Sequence, residues 1–313
     1  MQKFAVVFPG QGSQKQGMLE ALHGQYPIVR DTFAEAGDVL ALDLWQIVKD
    51  NPEGRLDSTE ITQPALLTAS VALWRLWQQR QGPLPELLAG HSLGEYSALV
   101  CGGALSFEDA VASVHQRGRF MQTAVPAGTG AMAAIIGLDD EAITKACSAA
   151  SEGDATVSPA NFNAPGQTVI AGEADAVNRA VEACKSAGAK RALPLNVSVP
   201  SHCELMKPAA EKLAGQLQSI TFQRPSIAVI QNINGRICKD PGEIRDNLLK
   251  QLYMPVQWVD SIHCLGDFGI GNVVECGPGK VLSGLIRRIN RDLACYTIED
   301  DTALDQAIEA LRN

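Results

Sequence analysis

Cysteine is not arranged here to hold a metal or to staple a fold. The eight cysteines (Cys101, Cys147, Cys184, Cys203, Cys238, Cys264, Cys276 and Cys295) are scattered, and C-x-x-C is absent. No Cys/His cluster has ligand spacing, so no metal site is expected. In a chain of 313 residues this pattern predicts reduced, mostly buried thiols and a cytoplasmic location. Basic charge is in the minority: 26 Lys and Arg face 35 Asp and Glu, a net charge of -9. That balance excludes nucleic acid as the main partner, because phosphate binding needs a dominant basic face. Aromatic residues are only 5% of the chain, too few for base-stacking platforms. No apolar run approaches membrane-spanning length, and no membrane contact is expected. The N-terminal stretch Phe4–Phe8 is too short for a signal peptide and is closed by Pro9. Repeats and low-complexity tracts are also missing. What remains, 46% hydrophobic and 19% charged residues, describes an ordinary globular protein with about two domains.

Against this background one short run stands out, Gly90-His91-Ser92-Leu93-Gly94-Glu95. It is a G-x-S-x-G pentapeptide between an apolar strand candidate, Leu84–Ala89, and a helix opening at Glu95 and stopped by Gly102-Gly103. A sharp strand-to-helix turn lifts the serine hydroxyl out of the sheet and crowds the positions two before and two after it. Both positions then require glycine. The following helix aims its free N–H groups at the serine, where they can stabilise an oxyanion. Ser92 is the candidate nucleophile.

The rest of the chain reads as an α/β protein. A first strand, Lys3–Phe8, ends at Pro9-Gly10-Gln11-Gly12-Ser13, and helical patterns follow over Met18–Tyr26, Ile28–Leu40 and Gln63–Gln79. Ser106-Phe107-Glu108-Asp109 caps a helix running from Ala110 to about Thr123. From Ala131 the pattern becomes strand (Met132–Ile136), helix (Asp139–Ala150), strands Ala155–Asn161 and Gln167–Ala171, helix (Ala174–Ala187) and strand (Arg191–Val197). Two β-α-β units in tandem predict a ferredoxin-like α+β subdomain over residues 128–198. It is inserted into a parallel-sheet, α/β-hydrolase-like body formed by residues 1–127 and 199–313, with strands at Ala228–Asn232 and Asn272–Glu275. A cleft is expected between the two.

A serine nucleophile needs a general base, and only His23, His91, His115, His202 and His263 are available. His91 adjoins Ser92, and neighbouring side chains on a tight turn point apart. His23 and His263 lie in polar stretches, and His115 sits in mid-helix. His202, in Val199-Pro200-Ser201-His202, falls where the inserted segment returns to the body and is the candidate base. No acidic residue after it sits in an obvious site loop. Whether a carboxylate or a carbonyl orients the imidazole stays open at this level.

These motifs, taken together, resemble the malonyl-CoA:acyl-carrier-protein transacylases of bacterial type II fatty acid synthesis. The likeness runs through Phe8–Gln14, Gly90–Glu95, Gln116-Arg117-Gly118, Asn161–Gln167, Val199–His202, Pro255–Trp258 and Glu275–Lys280, in order and over nearly the whole chain. It implies Ser92 as the acyl-accepting nucleophile and His202 as its base. The backbone N–H groups of Gln11 and Leu93 would form the oxyanion hole, and the Gln251 main-chain carbonyl would hold His202. Arg117 would pair with the free malonyl carboxylate, since guanidinium binds carboxylate bidentately and stays charged. Gln63 resembles a position near the substrate pocket. The implied reaction is ping-pong, malonyl-CoA giving the acyl group to Ser92 and acyl carrier protein taking it, with no cofactor. The resemblance leans towards a monomer. Ser201 stands where malonyl-selective polyketide enzymes often carry phenylalanine, which favours the fatty-acid assignment.

Lys190-Arg191 and the cluster Arg287, Arg288 and Arg291 are local basic groups on an acidic chain, and they are candidate docking residues for the acidic carrier protein. Other classes fit less well. A polyketide or malonate-decarboxylase acyltransferase shares the motifs. A serine esterase shares the elbow but has no use for Arg117, and a non-catalytic carrier scaffold would not need Ser92 and His202. A dinucleotide fingerprint after the first strand fails at Lys15, and a P-loop over Gly279-Lys280 fails at Val274 and Val281.

Overall fold

The computed structural model describes residues 2–195 and 199–312. Among the described residues ten strands are numbered: β1 (Phe4–Phe8), β2 (Leu87–Gly90), β3 (Gly130–Ile136), β4 (Val157–Ala164), β5 (Gln167–Glu173), β6 (Arg191–Pro194), β7 (Ala228–Gln231), β8 (Arg236–Cys238), β9 (Asn272–Glu275) and β10 (Ala294–Thr297). They form two sheets. The larger has the order β10-β9-β1-β2-β7-β8, and the smaller β4-β5-β3-β6.

In the larger sheet every pair is parallel except β7 with β8 at one edge. The continuous apolar runs of β1 and β2 are those of strands buried on both faces. Phe4, Val6 and Phe8 point to a helical layer that includes Thr59–Gln79, while Ala5 and Val7 pack on Trp258, Ile262 and Leu285 on the other side. The strand predicted from Leu84 begins only at Leu87. Pro83 and Pro85 have no N–H to give the ladder, and Leu84 is left exposed.

The helix predicted from Gln63 begins earlier, at Thr59, and carries Pro64 inside it. Proline cannot donate to the carbonyl four residues back, which is that of Glu60. His115 Nδ1 donates to Glu60 O instead, at 2.9 Å, so the freed carbonyl is satisfied from the neighbouring helix Phe107–Gln122. That neighbour starts as its capping pattern predicts, Ser106 Oγ accepting from Asp109 N.

The smaller sheet is antiparallel throughout, in the chain order β-α-β-β-α-β, with helices Asp140–Ala150 and Ala174–Ser186 on one face. Alternation along β3 separates its two faces: Ala133 and Ile135 pack under those helices, while Met132 turns the other way with Val169 and Cys203. That second face looks towards the main body. An isolated bridge between Asn161 and Val256 ties the smaller sheet to the segment before helix Trp258–Asp267 of the body. The strand expected over Arg191–Val197 is seen to Pro194, and residues 196–198, on which its predicted end falls, lie outside the described residues. The sequence reading missed the helix Leu44–Asp50 and the strands β8 and β10. All three are short, and β8 and β10 are edge strands.

Candidate active site

Parallel strands deliver their following loops to one edge of the sheet, the carboxyl edge, and the candidate residues gather there. Gly10 and Gln11 follow β1, His91, Ser92 and Leu93 follow β2, and Asn232 follows β7. Ser92 has a left-handed backbone, φ +51°, a conformation a residue with a Cβ holds only under constraint. The constraint is visible on both sides. A Cβ on Gly90 would lie 1.9 Å from the Gly94 carbonyl carbon, and one on Gly94 would lie 2.0 Å from Phe8 O. Asn232 closes the turn: its Oδ1 accepts from Ser92 N at 2.6 Å, and its Nδ2 donates to Gly90 O at 2.6 Å.

Ser92 Oγ lies 2.8 Å from His202 Nε2. His202 Nδ1 lies 2.6 Å from the Gln251 main-chain oxygen, so Nδ1 carries the proton and Nε2 is free to accept one. No carboxylate is needed for this, because helix Pro241–Gln251 ends at Gln251 and its last carbonyls lack intrahelical partners. The negative end of the helix dipole thus stands where a triad acid would be. The His202 N–H also donates to Leu252 O at 2.9 Å, holding the residue in its own left-handed conformation, φ +62°. Burial first, and the neighbouring Arg117 charge second, push the His202 pKa down to about 3, so the resting imidazole is neutral.

Arg117 is 1% exposed, and its guanidinium makes no ion pair among the described residues. One terminal nitrogen donates to Gln63 Oε1 at 2.8 Å. The other donates to Gln251 Oε1 at 2.9 Å and stands 3.5 Å from Ser92 Oγ, while Nε has no partner. A buried cation held by two neutral amides is an incomplete arrangement, and an anion completes it. Gln251 Nε2 donates to Ser92 O and to Glu95 Oε2. One glutamine therefore touches the Ser92 backbone, the His202 ring and the Arg117 guanidinium. Gln63 braces Arg117 and is not itself part of the cavity lining.

The cavity in front of Ser92 holds about 250 Å³. Ser92, His202 and Arg117 line its floor, and Met132, Val169 and Leu285 line its walls. The backbone N–H groups of Gln11 and Leu93, both in the lining, donate to no acceptor among the described residues. Leu285 arrives on helix Val281–Ile289, whose N-terminus is tied down by the buried Glu275 carboxylate accepting from Leu282 N, Ser283 N and Ser283 Oγ.

The other histidines do not meet the Ser92 hydroxyl. His91 Nε2 meets Asn163 Oδ1 at 2.7 Å, and His263 is exposed. His23 is half-buried and stacks on the Trp45 ring at 3.6 Å, where a merely solvated ring was expected. Lys190, Arg191, Arg287 and Arg288 are all exposed. Arg288 donates to Gln167 Oε1, and Gln167 faces Ile136, which faces Arg191 across the small sheet. Arg288 and the Lys190-Arg191 pair therefore share one rim beside the cavity, whereas Arg287 and Arg291 turn towards Leu293, Ala294 and Cys295. Sequence reasoning missed Asn232 and gave Glu95 no role. The only signal for Asn232 is a polar residue directly after an apolar parallel strand, at the edge where sites form.

A half-buried serine on a strained turn, a neutral histidine at its hydroxyl and two unpartnered N–H groups beside it are the parts a serine-dependent acyl transferase needs. The comparisons agree: the profile of the acyl transferase domain family matches residues 5–281. The malonyl CoA-acyl carrier protein transacylase of Salmonella typhimurium is 57% identical over 308 residues, covering 98% of this chain and 99% of that protein. The solved malonyl CoA-acyl carrier protein transacylase of Coxiella burnetii superposes with a TM-score of 0.98 at 49% identity, over 100% of this chain and 98% of that one. A malonyl-transacylase solved in complex with a type II PKS acyl-carrier protein matches with a TM-score of 0.97 at 54% identity, over 99% and 100%. This chain belongs to the malonyl CoA-acyl carrier protein transacylase family.

Proposed function

We propose that this protein moves a malonyl group from malonyl-CoA to the phosphopantetheine thiol of acyl carrier protein through a malonyl-Ser92 intermediate. The observation that carries the reading is Arg117, a buried guanidinium with no carboxylate partner, 3.5 Å from Ser92 Oγ. The free carboxyl carbon of a malonyl ester is three bonds from that oxygen, so both ends of the acyl group are met at once. Neutral esters would bring no carboxylate into contact with this guanidinium, which argues against an esterase.

In the first half-reaction Ser92 Oγ attacks the thioester carbon while its proton passes to His202 Nε2. The Gln11 and Leu93 N–H groups receive the oxyanion. As the C–S bond breaks, His202 returns the proton to the coenzyme A sulfur. The second half runs in reverse with the carrier thiol, whose proton reaches Ser92 Oγ through His202. Because the Arg117 charge depresses His202, a malonyl carboxylate on Arg117 makes His202 a stronger base when one is needed.

Residues 128–198 form, in this reading, a ferredoxin-like subdomain inserted into an α/β-hydrolase-like body of residues 1–127 and 199–313, and its free face supplies the cavity wall. Lys190, Arg191 and Arg288 on the rim dock the acidic carrier, while Arg287, turned towards Leu293–Cys295, lies off it. No helix among the described residues is long and apolar enough to cross a membrane. Unpaired thiols suit the cytoplasm. A second reading keeps the chemistry and changes the carrier, because one solved relative is in complex with a type II PKS acyl-carrier protein.

The test is intact mass after mixing with malonyl-CoA or acetyl-CoA. A malonyl adduct absent from Ser92→Ala, and a malonyl preference lost in Arg117→Ala, are the expected results. No adduct on the native protein, with free coenzyme A still accumulating, would instead indicate hydrolysis.

A further inference from the structure

Glu95 is a buried carboxyl close to Arg117 and Gln251 that the transfer chemistry does not use. It is 1% exposed. Its Oε2 accepts from Gln251 Nε2 at 2.8 Å and from Asn232 N at 3.1 Å, while Oε1 has no partner. The charge that acts on it is Arg117, from helix Phe107–Gln122. Tyr96 on its own helix is a neutral phenol, its pKa pushed up to about 12 by burial. The segment after β7 and helix Pro241–Gln251 present only the neutral Asn232 and Gln251.

Two carboxylates must then share one buried guanidinium once a malonyl group arrives. Like charges around one site in a dry interior cannot both persist cheaply. We infer that Glu95 is a specificity-determining residue: it balances Arg117 while the cavity is empty, takes a proton from solvent as the malonyl carboxylate binds, and releases that proton when the malonyl group leaves. Geometry suits the exchange. Glu95 lies behind Gln251, which already contacts Arg117, and its unpartnered oxygen can carry the proton without breaking either existing hydrogen bond. Burial already pushes its carboxyl up to about 7, so proton uptake is accessible near neutrality. An acetyl group brings no second charge and should draw no proton.

The inference rests on the malonyl reading of Arg117, and the experiment separates the two. Calorimetric titration of Ser92→Ala, which binds donors without transfer, is run with malonyl-CoA and with acetyl-CoA in two buffers of different ionisation enthalpy. Any proton taken up by the coenzyme A phosphates is common to both donors and cancels. At pH 8 the empty-site carboxyl is about nine-tenths ionised, so malonyl-CoA should take up more than about half a proton beyond acetyl-CoA. The malonyl Kd should weaken about tenfold from pH 6.5 to 8.5. In Ser92→Ala/Glu95→Gln the excess uptake should vanish and the malonyl Kd should be flat with pH. Excess uptake that survives in the double variant, or is absent from the single one, overturns the inference. Should the double variant not fold, the comparison of donors on the single variant decides. Malonyl-CoA binding no tighter than acetyl-CoA at pH 6.5 would remove the Arg117 reading, and this inference with it.

Discussion

Gly118 sets where Arg117 stands, and replacing it with alanine should separate fold stability from substrate choice. A Cβ there would lie 2.6 Å from Glu60 Cα, 2.7 Å from Thr59 O and 2.8 Å from Glu60 N. All three are backbone atoms in the first turn of helix Thr59–Gln79, so no side chain can swing aside. Reaching an ordinary contact of about 3.5 Å requires the helices to part by about 0.9 Å. That opening breaks the His115–Glu60 hydrogen bond across the same seam, at a cost of about 1 kcal/mol. Overpacking adds about 1–3 kcal/mol, and the better helix propensity of alanine returns about 1 kcal/mol. The net is a loss of about 1–3 kcal/mol. Arg117, one residue away, moves off Gln63 and Ser92 by a comparable distance, and misplacement near 1 Å costs up to about a hundredfold. Urea unfolding should therefore show lower stability. Steady-state transfer should show malonyl kcat/KM falling about ten- to a hundredfold while the acetyl side reaction changes little. A Gly118→Ala protein more stable by about 1 kcal/mol, with an unchanged malonyl-to-acetyl ratio, would refute this account.

Asn232→Ala leaves Ser92 N and Gly90 O unpaired beneath the elbow, and at about 1–3 kcal/mol for each group it should lower both unfolding free energy and the rate of Ser92 acylation, read by urea titration and quenched mass. Glu95 titrates higher in the folded chain, at about 7, than its ordinary 4.5, so its contribution to stability is full below pH 4.5 and lost as pH rises to about 7. At about 1.4 kcal/mol per pH unit, Glu95→Gln should gain about 3 kcal/mol on the native protein between pH 4.5 and 8, and a flat difference would contradict the burial argument. His202 runs the other way: its folded pKa lies near 3, below its ordinary 6.5, so its contribution is present above pH 6.5 and fades as pH falls towards 3. Charge reversal at Arg288 and Arg191 should weaken carrier-protein kcat/KM and flatten its salt dependence, with malonyl-CoA acylation of Ser92 unaltered. Unchanged carrier kinetics would remove that rim from the docking surface.

Local pattern by itself determined much of this protein. Gly90-His91-Ser92-Leu93-Gly94 is legible because a strand-to-helix turn leaves room only for glycine on either side of its serine, and that crowding is a property of neighbouring residues. The capped helix after Ser106 and the alternating strands of residues 130–173 are legible for the same reason, since periodicity and capping act within a few residues. Tertiary structure decided the rest. Local pattern does not say that His202 stops 2.8 Å from Ser92 or that the end of helix Pro241–Gln251 stands in for an acid, which only the family resemblance implied, nor that Asn232 and Glu95 underpin the elbow. Pro64 reads as a helix breaker until His115, 51 residues later, fills the carbonyl it frees. These contacts join segments brought together only when parallel strands place their carboxyl ends side by side. The cost of burying an unpaired Arg117 exists only once that packing has closed around it.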